Sequence, residues 1–207
     1  DGARSAEAII DGEHTLSATG AVMIDGLQFL SNNSAQTSTI YISTAAGHTI
    51  QNNQFVSAVA GGGTDDKALY TAVLASGSLT ITENSFSGDG SFSDGDGYSA
   101  AAWGRGLWLN GGGAAAMVSN NAFTSCRAVM NLENYANGAC SVDGNTFTDS
   151  GTGMSLGVPT AGDITSITGN SFQDGDTDIN ARNLTADITW DTQPKVFSQR
   201  STNHILI

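Results

Sequence analysis

The chain has 207 residues, with 20 acidic against 7 basic side chains and a net charge of −13. That length suits one domain, and that charge excludes a nucleic-acid phosphate binder. No run of 18 apolar residues occurs, so nothing in the sequence reads as a membrane-spanning helix.

The sequence opens on Asp1-Gly2-Ala3, with no initiator Met and no signal peptide, and is expected to be a mature form or a fragment, a module of a larger protein. Residues 1–21 are expected to form a first coil or a partial cap, the Ala/Glu run supplying at most one or two helical turns. From residue 22 one phrase dominates: apolar-x-x-Asn-x-Phe. It runs Ile24 to Phe29 (imperfect, with Leu27 in the Asn slot), Ile50 to Phe55, Ile81 to Phe86, Val118 to Phe123, Val142 to Phe147 and Ile167 to Phe172. The phenylalanines step by 26, 31, 37, 24 and 25 residues, a unit of about 24 with loop insertions, which is a solenoid period.

Within each unit, apolar or small residues alternate with polar ones, as in Leu79-Thr80-Ile81-Thr82. That is the pattern of a strand with one buried face. Gly or Asn commonly precedes the repeated Asn (Asn52, Asn120, Gly144, Gly169), and both tolerate the left-handed backbone of a sharp corner. Each phrase therefore reads as strand, corner, strand. A further strand follows each phenylalanine: Thr39 to Ser43, Ala68 to Val73, Gly106 to Asn110, Ala128 to Glu133, Gly153 to Val158 and Thr177 to Arg182. Stacked at roughly 4.8 Å, about seven such coils give a rod of about 35 Å. Asn53, Asn84, Asn121, Asn145 and Asn170 then form a buried ladder, each amide bonding its neighbours at the turn before the Phe strand. Residues 191–207 remain as a C-terminal tail or partial cap.

The Ile-x-x-Asn-x-Phe series resembles the right-handed parallel β-helix of the pectate-lyase-like superfamily, over roughly residues 22 to 190. The resemblance implies an all-β fold of one domain across 1–207. Members include polysaccharide lyases, hydrolases, epimerases, tailspikes and adhesins, so activity must be argued from sites. Solenoids of this acidic, Gly/Ser/Thr/Asn-rich composition point to an extracellular or cell-surface setting. Cys126 and Cys140 fall on opposite sides of such a cross-section, too far apart to bridge, and are expected to be unpaired. Both coil ends are strand-addition templates, expected to meet flanking domains or to self-associate.

On the strand after the phenylalanine, inward Ile40/Ile42, Leu69/Thr71 and Leu107/Leu109 put Tyr41, Tyr70 and Trp108 outward in one column. The column is expected to continue through Asn131, Ser155 and Asp178, flanked by Glu133, Asn180 and Arg182. Such a strip suits a sugar, whose apolar face stacks on rings while its hydroxyls take polar partners. In the resembling enzymes this sheet floors the polysaccharide groove. The longest insertion, Ser87 to Tyr98 followed by Trp103, is placed to overhang it. The substrate-binding candidates are Tyr41, Tyr70, Trp108, Trp103, Asn131 and Glu133.

Carboxylates at alternate positions, Asp89, Asp94 and Asp96 in the insertion and Asp174, Asp176 and Asp178 further on, make calcium the candidate cofactor, although no EF-hand pattern is complete. The catalytic candidates are Arg105 or Lys67 as base, with Glu133. The arginine motifs of pectate lyases, the aspartate segments of hydrolases and the Asp-Pro-His core of alginate epimerases are all missing. An ice-binding face would need a regular Thr array, and Thr80, Thr82, Thr165 and Thr168 are too irregular. The expected function is a structural or adhesive module touching glycan along the aromatic strip. A polysaccharide-active enzyme using the same face and a filament subunit stacking through its ends are the alternatives.

Overall fold

The structure is a computed structural model and describes residues 8–31, 38–57, 67–74, 76–88, 92–93, 97–98, 105–110, 112–126, 128–133, 140–157, 164–173, 177–182 and 203–206. It is all-β, with three sheets of parallel strands and one short antiparallel pair, Phe92–Ser93 with Gly97–Tyr98.

The phenylalanine sheet has seven strands in the order Ile9–Asp11, Gln28–Ser31, Gln54–Ser57, Ser85–Ser87, Ala122–Thr124, Thr146–Thr148 and Ser171–Gln173. An eight-stranded tyrosine–tryptophan sheet takes His14–Leu16, Ile40–Ile42, Lys67–Thr71, Arg105–Asn110, Ala128–Glu133, Thr152–Gly157, Thr177–Arg182 and Asn203–Leu206. The isoleucine sheet has six: Met23–Asp25, Ala46–Gln51, Ser78–Thr82, Ala115–Ser119, Cys140–Asp143 and Ile164–Thr168. Through residue 182, apart from the antiparallel pair, the chain visits the three sheets in strict rotation, one strand of each per circuit. That order is consistent with a parallel β-helix solenoid.

The core lies between the sheets as columns of like residues. Phe29, Phe55, Phe86, Phe123, Phe147 and Phe172 are in register and buried. Their rings stack at 4.6 to 5.3 Å with planes within 9° of parallel, about the strand spacing of a sheet. Ile24, Ile50, Ile81, Val118, Val142 and Ile167 form a second column.

The asparagines form the ladder that their spacing predicts. In each of four steps, from Asn53 to Asn84, Asn121, Asn145 and Asn170, the next Oδ1 accepts both the backbone N–H and the Nδ2 of the residue before, at 2.9 to 3.0 Å. Each Nδ2 also donates to the carbonyl of the preceding circuit's apolar residue, Ile24, Ile50, Ile81, Val118 or Val142. At the N-terminal end the Leu27 N–H donates to Asn53 Oδ1. One more slot precedes it: the Gln28 N–H to Ala8 carbonyl bond puts Ala8 in the Asn position, and Ile10 pairs with Phe29 in the Phe position. The repeat therefore begins one circuit before its first recognisable phrase, within the 1–21 region.

The residue before each slot from Leu27 onward is left-handed: Gly26, Asn52, Glu83, Asn120, Gly144 and Gly169 have φ between 53° and 72°. At Gly144 a Cβ would also stand 2.6 Å from Asn120 Oδ1. Glu83, at φ 56°, is the one long side chain among these six, and a left-handed L-residue of that kind costs about 1–2 kcal/mol. Glu83→Asn, which the neighbouring corners already use, is expected to raise the unfolding free energy by about 1 kcal/mol, read as a higher denaturant midpoint with unchanged slope.

Both cysteines are free and buried. Burial pushes the Cys126 thiol up to about 12, so it is protonated and inert at neutral pH.

Candidate functional site

The outer column of the tyrosine–tryptophan sheet follows from strand register. Thr15, Tyr41, Tyr70, Trp108, Asn131, Ser155, Asn180 and Leu206 stand side by side on successive strands. The three aromatics are half-buried and lean on one another: Tyr41 and Tyr70 have centroids 5.4 Å apart, and Tyr70 and Trp108 5.3 Å apart. One expectation needs correction. Asn180, not Asp178, continues the column, because Met154 pairs with Ile179 and Ser155 with Asn180. Asp178 is described by its backbone alone.

Lys67 belongs to this cluster, and simple alternation points its side chain the other way, to the Leu69 side. Ala68 and Leu69 are both fully buried, as are Val129 and Met130. At Gly106 an added Cβ would stand 3.2 Å from the Phe123 ring. Two successive residues therefore face the core, and ladder pairing skips the first of them in five successive strand pairings, from Lys67–Thr71 to Asn203–Leu206. This bend returns Lys67 to the outer side, where its Nζ lies 4.8 Å from the Trp108 ring centroid and 5.2 Å from that of Tyr70. Lys67 is only 6 % exposed, so the cation–π contact is largely shielded from water and belongs to the stronger part of its range, about 2 kcal/mol. The ammonium fixes the two ring orientations from one side.

Arg105 pairs with Lys67 in register, and Glu133 pairs with Asn110. Both are described by backbone alone. Asn131 is buried beside Trp108. Trp103, Asp89, Asp94, Asp96, Asp174 and Asp176 lie outside the described residues. Among the described residues, no three His, Cys, Asp or Glu side chains converge to hold a metal ion.

No protein-family model, curated protein or solved structure matches the chain.

Proposed function

We propose that the chain is a right-handed parallel β-helix of about seven coils, of the pectate-lyase-like kind, serving as a secreted or cell-surface structural and adhesive module that touches glycan along Tyr41, Tyr70 and Trp108. The five Asn-x-Phe copies and the imperfect Leu27-Gln28-Phe29 support the architecture, together with the rotation of the chain through three parallel sheets. The observation that carries the function is the aromatic column itself, with Lys67 against two of its rings and Asn131 and Ser155 continuing it in register. Apolar ring surface beside amide and hydroxyl groups matches the two sides of a sugar. Calcium, held by the acidic loops, is the proposed cofactor.

The test is retention of the whole chain on a panel of neutral and acidic polysaccharides, with and without calcium. Trp108→Ala is expected to weaken binding of any retained glycan at least about tenfold, with circular dichroism confirming that the strands persist. Equal retention of both proteins would remove the strip from the binding site.

A second reading, a polysaccharide lyase with Lys67 or Arg105 as base, is favoured by the register that puts these two residues on adjacent strands beside Trp108.

A further inference from the structure

His48 lies in the isoleucine-sheet strand Ala46–Gln51 and is 1 % exposed. Its Nδ1 stands 3.2 Å from the Val22 backbone nitrogen and accepts that N–H. Nδ1 is therefore unprotonated, and the ring's single proton is on Nε2. Nε2 is 3.3 Å from Thr44 Oγ1, and Thr44 Oγ1 donates to the Ala18 carbonyl at 2.8 Å. The donors run in one direction: Val22 N–H to His48, His48 Nε2–H to Thr44, and Thr44 O–H to Ala18. Both ends rest on residues 17–22, so neutral His48 ties the first circuit to the second.

Among the described residues, the surroundings offer a protonated ring no counter-charge. Segments 17–22 and 44–47 and the strand Ser78–Thr82, whose Leu79 pairs with His48, contain no ionisable side chain. On Met23–Asp25 the one carboxylate is Asp25, paired with Gln51 three residues along the strand and accepting Asn52 Nδ2 at 3.0 Å. Across the core, Ile40–Ile42 brings only Tyr41 of the outer column, His14–Leu16 brings His14 with its ring edge on Phe29, and Lys67–Thr71 brings Tyr70 and Lys67, both in the outer cluster.

We propose that His48 is an acid-sensitive latch, and that its protonation releases residues 17–22, and with them the first circuit, from the rest of the molecule. A second ring proton would sit on Nδ1 and face the Val22 N–H donor to donor. Burial lowers the His48 pKa from 6.5, with a hydrogen bond at the Thr44 backbone opposing it. The open state thus binds more protons than the closed one below about pH 6.5, and opening grows as pH falls until it levels off below the closed-state pKa.

The test is amide hydrogen exchange of the whole chain from pH 7.5 to 5.5, corrected for the intrinsic rate. Protection at the Val22 amide, and at the Thr49 amide that donates to the Val22 carbonyl, is expected to fall by up to about tenfold per pH unit below about 6.5. The Ile81 and Val118 amides should not change. In His48→Gln the side-chain oxygen can accept Val22 and the amide can donate to Thr44, so protection should persist and lose its pH dependence. A flat wild-type profile, or the same slope in His48→Gln, would overturn the proposal. Imidazole nitrogen shifts of the wild-type chain decide independently of any variant, since a proton on Nδ1 at pH 7.5 contradicts the latch.

Discussion

Asn121→Leu is expected to lower the unfolding free energy by about 3–5 kcal/mol, because it leaves several buried polar groups unpaired at about 1–3 kcal/mol each. Asn121 Oδ1 accepts from both the backbone N–H and Nδ2 of Asn84, while Asn121 Nδ2 donates to the Ile81 carbonyl and to Asn145 Oδ1. Leucine matches the size but supplies none of these bonds, so the Asn84 backbone N–H is left in the core without an acceptor. Leucine is tolerated at position 27 for a structural reason. The slot before it holds Ala8, which sends no side-chain amide toward it. Equilibrium unfolding in urea measures the loss, and a split into two transitions would show that the column has separated at the broken rung. A change under about 1 kcal/mol would mean that the ladder contributes register but little stability.

Phe123→Ala is expected to destabilise by about 3–5 kcal/mol. The ring is fully buried between Phe86 at 4.6 Å and Phe147 at 5.3 Å, and rigid strands on three sides prevent the space from closing. Phe123→Leu, nearer in volume, should be milder. A double-mutant cycle of Phe123→Ala with Phe147→Ala should return a coupling of about 0.5–1.5 kcal/mol, the stacking contribution beyond area burial. Thermal unfolding of the four proteins provides the numbers, and purely additive effects would reduce the column to independent apolar contacts.

The columns were legible in the sequence because each residue has one physical reason to recur. Phenylalanine stacks on phenylalanine at strand spacing, and an asparagine can both donate to and accept from its own kind. Signals faded where a slot was filled by something ordinary. Ala8 and Ile10 occupy the Asn and Phe positions without resembling either, so the first circuit carries no phrase. Glu83 adopts the corner conformation with no residue preference to announce it.

Alternation correctly faced Tyr41, Tyr70 and Trp108 away from Ile40, Leu69 and Leu107, but it assumes an unbroken strand. The bend at Ala68, repeated at Gly106 and Val129, reverses parity and brings Lys67 beside the rings. The same assumption placed Asp178 where the register puts Asn180. His48 gave no sign, because it meets residues 17–22 only at backbone groups, directly at the Val22 N–H and through Thr44 Oγ1 at the Ala18 carbonyl.

The most direct measurement is a turnover assay on whichever glycan the whole chain retains most tightly, with and without calcium. Unsaturated-product absorbance and reducing ends are followed while the bound fraction is recorded. Retention that Trp108→Ala weakens is expected, with no product at any time point. Product formation that disappears in Lys67→Ala or Arg105→Ala, or failure of the chain to retain any glycan, would contradict that expectation.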